Sequence, residues 1–168
     1  MKFMNIKGAV VADTVYCDGT LVAKDVAFTI PGVSFLSADV QAMGNMSVPL
    51  IGLIENMQAT VKKIGLDMGF SKMNRLAKHT IEFRWVQSVV KSDGSVTQEG
   101  CKAFIRTMPA SIPDLGVEVG SASEMETTFN VSRQQIFCNG EEVLCVDRLA
   151  PILRVDGVDY YNTIANML

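Results

Sequence analysis

A mainly β fold follows from three features of the chain. Polar and apolar residues alternate with period two, Asp-Gly and Asn-Gly pairs sit between such runs, and helical spacing is scarce. Alternation of this period sends successive side chains to opposite faces of a strand, so one face can be buried while the other meets water or a neighbouring subunit. The Asx-Gly pairs supply residues that accept the positive φ of a primed hairpin turn.

In chain order, Thr14-Val15-Tyr16-Cys17 leads into Asp18-Gly19 and returns as Thr20-Leu21-Val22, which predicts a hairpin. Residues 31–49 follow, with Phe35, Leu36, Met43, Met46 and Val48. This stretch is long for a connection and unusually apolar, so a loop that covers its apolar residues with a partner is expected. Phe70, Met73, Leu76 and Ala77 keep helical spacing after Gly69, with Ser71 placed to cap one short amphipathic helix and His79 near its C-terminal end.

Ile81, Phe83 and Trp85 then alternate with Glu82 and Arg84, and Ser92-Asp93-Gly94-Ser95 turns the chain back. The return strand, residues 96–107, puts Cys101, Ala103 and Ile105 on one face and Lys102, Phe104 and Arg106 on the other. Residues 108–120, with two prolines and two glycines, read as a surface loop. The cleanest strand comes next: Met125, Thr127, Phe129 and Val131 alternate with Glu124, Glu126, Thr128, Asn130 and Ser132, leaving a wholly polar second face. Gln135-Ile136-Phe137-Cys138 meets Asn139-Gly140 and returns as Glu142-Val143-Leu144-Cys145-Val146, a second hairpin. Residues 156–159 read as a turn, and a short C-terminal helical turn is expected over residues 160–167.

A chain of 168 residues is the size of a single domain, 1–168, and is long enough to bury a core without disulfide or metal staples. Hydrophobic residues form 48% and charged residues 20%, with mean hydropathy +0.23, an apolar balance that points to subunit interfaces. The longest weakly charged stretch is broken by Pro31, Asp39, Gly44, Asn45 and Pro49, so no membrane insertion is expected. No signal-peptide pattern follows the N-terminus, and synthesis in the cytoplasm is expected. A net charge of −3 argues against a surface that grips phosphate.

Signs of chemistry are few. The single histidine, His79, has no neighbouring thiol or paired carboxylate in sequence, and the four cysteines form no Cys-x-x-Cys pair, so neither a metal site nor a Ser-His-Asp centre is expected. The cysteines read as reduced, buried small hydrophobes. No phosphate-binding glycine loop is present, and no cofactor is expected. Glu124 and Glu126 share a face as a glycosidase pair could, yet no apolar pocket is evident to raise one pKa, and a solvated face is the simpler reading. The ten methionines suit adaptable protein contacts.

Several motifs together resemble the major tail tube proteins of contractile-tailed phages and the related R-type pyocin tubes. Val15-Tyr16-Cys17-Asp18-Gly19 resembles that family's early strand and turn, and Ala27-Phe28-Thr29-Ile30-Pro31 its apolar strand running into proline. Gly44-Asn45-Met46, Val48-Pro49-Leu50 and Gly52-Leu53-Ile54-Glu55-Asn56-Met57 are similar to its middle block. Ile136 to Asp147, around Asn139-Gly140, resembles its C-terminal hairpin, and Leu153-Arg154-Val155-Asp156-Gly157-Val158-Asp159 its following step. Where the family commonly has an acidic residue before Val-Asp, this chain has Cys145.

The resemblance implies a β-sandwich or β-barrel subunit with one short flanking α-helix, forming homo-hexameric rings that stack into a hollow tube. It implies no enzyme activity. Tail sheath, baseplate and tail-terminator proteins are the implied partners, with DNA passing through the lumen without specific binding in a phage. The implied location is the virion tail or a phage-tail-like particle, assembled in the bacterial host cytoplasm. By the same analogy, Phe35, Leu36, Met43, Met46 and Val48 reach the adjacent ring, and Glu124, Glu126, Thr128, Asn130 and Ser132 line the lumen, where an acidic or uncharged wall lets phosphate pass. A type VI secretion or bacteriocin tube is the nearest alternative. From a different class, a small β-barrel enzyme or ligand-binding module would instead be a monomer with a pocket.

Overall fold

The computed structural model describes residues 4–168. Twelve strands and two short helices follow one another as β1 (Ile6–Cys17), β2 (Thr20–Lys24), β3 (Phe28–Thr29), β4 (Phe35–Gln41), β5 (Asn45–Ile54), β6 (Met57–Ile64), α1 (Met68–Met73), β7 (His79–Val90), β8 (Val96–Pro109), β9 (Glu124–Cys138), β10 (Glu141–Asp147), β11 (Ile152–Val155), β12 (Val158–Asp159) and α2 (Tyr160–Ala165). The chain is mainly β, as its alternation requires. Its second helix, α2, stands where the short C-terminal helical turn is expected, beside the single flanking helix that the resemblance implies, and its sheets are not closed into a barrel within one subunit.

The large sheet has the order β12-β11-β10-β9-β8-β7-β1-β2, with β6 joined to β9 and β3 joined to β6. Strand β9 is the hinge of this arrangement. Residues 129–138 pair with β8, while the opposite edge pairs first with β6 over residues 124–131 and then with β10 over residues 133–138. One strand thereby feeds two layers, and the core lies between them. Met57, Ala59 and Val61 from β6 pack with Ile81 and Phe83 from β7, Ala103 and Ile105 from β8, and Phe129 from β9. Phe28 stacks on Phe83 with ring centroids 4.3 Å apart and meets the edge of Trp85 at 6.0 Å.

Turn chemistry follows the Asx-Gly pairs. Asp18 and Gly19 have φ of 49° and 81°, and Asn139 and Gly140 have 50° and 82°, so both central residues of each hairpin are left-handed as a type I′ turn demands. Asp156 and Gly157 repeat this between β11 and β12.

Two local expectations are corrected. The cap of α1 is Asp67, whose side chain accepts the Phe70 N–H, so Ser71 lies inside the helix and Leu76 and Ala77 beyond it. Asp67 also holds Lys63, which alternation turns inward on β6. The Lys63 ammonium is buried but satisfied, donating to the Val22 carbonyl at 2.7 Å and lying 3.0 Å from Asp67. His79 is the first residue of β7, buried under the β1–β2 turn, and not a surface group at a helix end.

Candidate assembly interface

The segment expected as a loop over residues 31–49 is a β-hairpin, β4 and β5, forming a two-stranded sheet separate from the large one. Pro49 lacks an N–H, but in a two-stranded ribbon a strand can turn that position outward without breaking the ladder. Met43 and Gly44, with φ of 50° and 121°, make the tip. Of the five residues singled out here, Leu36, Met43 and Met46 are exposed, Met43 entirely so. Phe35 is half-buried against the core at the root of the hairpin, and Val48 is half-buried opposite Ala38. Val40, Ile51 and Leu53 are also exposed on the hairpin, a signal that sequence reading passed over.

A second apolar surface lies on β1. Strand β2 covers only Thr14–Cys17 of β1, so among the described residues the outer edge of residues 6–12 has no partner strand. Every side chain there is exposed, including Ile6, Val10 and Val11. A long apolar edge of this kind is a template for another strand.

The polar face of β9 is where alternation puts it. Glu124, Glu126 and Asn130 are exposed, Thr128 and Ser132 half-buried, and all five lie opposite the buried Met125, Thr127, Phe129 and Val131. Cross-strand partners on β6 answer it: Lys62 lies 4.0 Å from Glu126, and Gln58 donates to the Asn130 side-chain oxygen at 3.2 Å. The face is therefore acidic at the Glu124 end only. Asn130 and Ser132 border a groove that also takes Lys78, Arg106 and Arg148.

Several charged groups of the large sheet are paired. Arg154 grips Glu142 with Nε and Nη2, and the Arg84 guanidinium lies 4.5 Å over the Tyr16 ring while bonding Glu82. Asp147 sits between Arg133, at 3.5 Å, and Arg106, at 4.0 Å, and its carboxylate accepts the N–H groups of Leu149 and Ala150. Such pairs help to fix strand register.

His79 does have a thiol and a carboxylate beside it, contrary to the expectation from spacing. The β1–β2 turn brings Cys17 and Asp18 to it across the sheet, and ligand atoms of the three lie within 4.8 Å of one another. The Asp18 Oδ2 atom is 2.9 Å from His79 Nδ1, and Oδ1 accepts the Thr80 N–H at 3.0 Å. Burial works against ionisation of Asp18, but the Thr80 and His79 contacts outweigh it and hold the carboxyl below its usual range. Burial first, and the adjacent Asp18 charge second, push the Cys17 thiol up to about 11.

A family model described as phage tail tube protein FII matches residues 9–168. The chain belongs to that family. The chain is thus a structural subunit of a phage-type tail tube. In fold, it resembles a chain from an extracellular contractile injection system, the PVC sheath–tube complex in its extended state. The TM-score is 0.52 at 14% identity, over 74% of this chain and 87% of that one. It also resembles a chain from the PVC sheath/tube terminator in the extended state, with the same score and identity and 92% of that chain covered. At this identity the likeness concerns the fold. No curated protein sequence matches the tube protein significantly.

Proposed function

We propose that copies of this subunit close edge to edge into a hexameric ring and that the rings stack into a hollow conduit. The observation that carries the reading is the unpartnered apolar edge of β1, where Ile6, Val10 and Val11 are exposed. In a ring that edge pairs with a strand of the next copy, which removes the hazard an open edge poses to a monomer. The β4–β5 hairpin supports stacking, since its root packs on the core while the outer part of the ribbon, with exposed Leu36, Met43 and Met46, gains further stability against a partner. The apolar contact contributes about 25 cal/mol per Å² before ordering costs.

The role is mechanical, with no catalytic step. Outside the tube lies a sheath, with a terminator at one end, by analogy with the sheath–tube and sheath/tube-terminator assemblies its structural neighbours come from, and a baseplate is the partner proposed for the other end. The particle is a phage tail or a phage-tail-like device assembled in the host cytoplasm, and in a phage DNA passes through the lumen. Glu124, Glu126, Thr128, Asn130 and Ser132 form the proposed lumen wall. Replacing Glu124 and Glu126 by Lys then leaves tubes assembled but slows DNA release, and unchanged release counts against this wall.

The decisive measurement is negative-stain microscopy with light scattering on the purified chain across concentration. Rings or tubes are expected, and Ile6→Lys with Val10→Lys is expected to give folded monomers. A wild-type chain that stays a discrete monomer at every concentration overturns the assembly reading and favours a lone binding module.

A further inference from the structure

The Cys17–Asp18–His79 cluster carries an unresolved pairing. His79 Nε2 lies 2.7 Å from the Arg75 carbonyl oxygen, which can only accept, so Nε2 bears the hydrogen. In the neutral ring, Nδ1 then presents a lone pair to Asp18 Oδ2 only 2.9 Å away. Two acceptors at that distance need something positive between them, either a second ring proton or a metal ion. The surroundings match those of a metal ligand set. A ligating histidine characteristically gives its other N–H to a carbonyl, and a ligating carboxylate is itself hydrogen-bonded. Here Arg75 plays the first part and the Thr80 N–H, bound to Oδ1, the second. The third donor, Cys17 Sγ, lies 3.8 Å from Asp18 Oδ2. For bonds of about 2.0–2.3 Å the edges of a tetrahedron of N, O and S ligands are about 3.3–3.5 Å, so the 2.9 Å pair opens and the 3.8 Å pair closes by a few tenths of an ångström on the ion, and the Cys17–His79 pair, within 4.8 Å, draws in.

We infer that Cys17, Asp18 and His79 form a binding site for a borderline transition-metal ion, Zn²⁺ foremost, with the fourth position open to water. Thiolate and imidazole select against Ca²⁺ and Mg²⁺, which take oxygen ligands. Cys17 and His79 are buried while Asp18 is partly exposed, so the ion enters from the turn side. Bound there, it ties the β1–β2 turn to the start of β7. The inference is independent of how subunits assemble.

The test uses the full chain, stripped with chelator and kept reduced. Zn²⁺ affinity is read by competition with a chromophoric chelator, and Co²⁺ serves as a spectroscopic probe. One equivalent of Zn²⁺ is expected, with a thiolate-to-cobalt charge-transfer band. That band should vanish in Cys17→Ser and survive when Cys101, Cys138 and Cys145 are all replaced by Ser. Asp18→Asn, at a partly exposed position that keeps the fold, should weaken binding by about tenfold or more. Circular dichroism checks each variant, and Asp18→Asn decides the matter if Cys17→Ser fails to fold. Absence of stoichiometric Zn²⁺ binding, or a Zn²⁺ affinity unchanged in folded Asp18→Asn, overturns the inference and leaves the proton as the sole occupant.

Discussion

The Cys138 thiol lies 2.8 Å from one carboxylate oxygen of Glu99, whose other oxygen is 2.8 Å from the Lys7 ammonium. The hydrogen bond to Glu99 comes first and burial second among the causes that push the Cys138 thiol up to about 12. Since the thiolate is the reactive form, Cys138 should alkylate at neutral pH at least about tenfold more slowly than an ordinary half-exposed thiol. Glu99→Gln removes the anion and should accelerate it. Mass spectrometry of iodoacetamide time courses reads both rates, and an unchanged rate in the variant would contradict this account.

Gly69→Ala should destabilise the subunit by about 1–3 kcal/mol, as overpacking typically does. A Cβ at Gly69 would lie 2.5 Å from the Val22 carbonyl oxygen, and backbone cannot swing aside as a side chain does. The clash pushes α1 off β2 and disturbs the carbonyl that receives Lys63. Urea unfolding measures the loss, which should appear in the midpoint without a change of slope.

Acid should weaken the fold partly through Glu142. Its hydrogen bond to Arg154 holds the Glu142 carboxyl below the usual range, outweighing burial, with Gln135 adding to the effect. A depressed folded value contributes stability above the unfolded value of about 4.3, and this contribution is lost as pH falls through the folded value. Thermal midpoints of wild type and Glu142→Gln should therefore differ most near neutrality and converge in acid. A gap that widens in acid would reverse the sign and refute the assignment.

Charging the hairpin tip should separate ring formation from stacking. Met43→Asp with Met46→Asp leaves β1 untouched, so rings are expected to persist while tubes disappear from micrographs. Tubes of normal length in this variant would remove β4–β5 from the inter-ring contact.

What was legible in the sequence was what strand periodicity writes locally. Met125, Thr127, Phe129 and Val131 are buried as their alternation demands, and each Asx-Gly pair read as a turn is one. The β4–β5 ribbon was not legible, because Gly44, Asn45 and Pro49 read as breaks and only pairing reveals that a ribbon accommodates them. Neither was the contact of His79 with Asp18, residues 61 apart in sequence and joined only by β1 lying against β7. The cap of α1 was missed for a similar reason. Asp67 caps it while also answering a buried lysine, a demand set by the packing of β6. The polar face of β9 was legible as a face, but the cations that flank it come from β6, β8, the residue before β7 and the turn after β10.

Because β9 is gripped by β8 on one side and by β6 and then β10 on the other, a miscopied gene finds little slack in it beyond the one-residue bulge at Ser132 opposite Arg106 and Thr107. Loss of the single codon for Thr128 would slide the preceding residues by one place against β6, turning Glu126 towards the oily interior and Met125 towards water. Frame-preserving deletions in this stretch should therefore be purged from viable lineages, however mild the missing side chain.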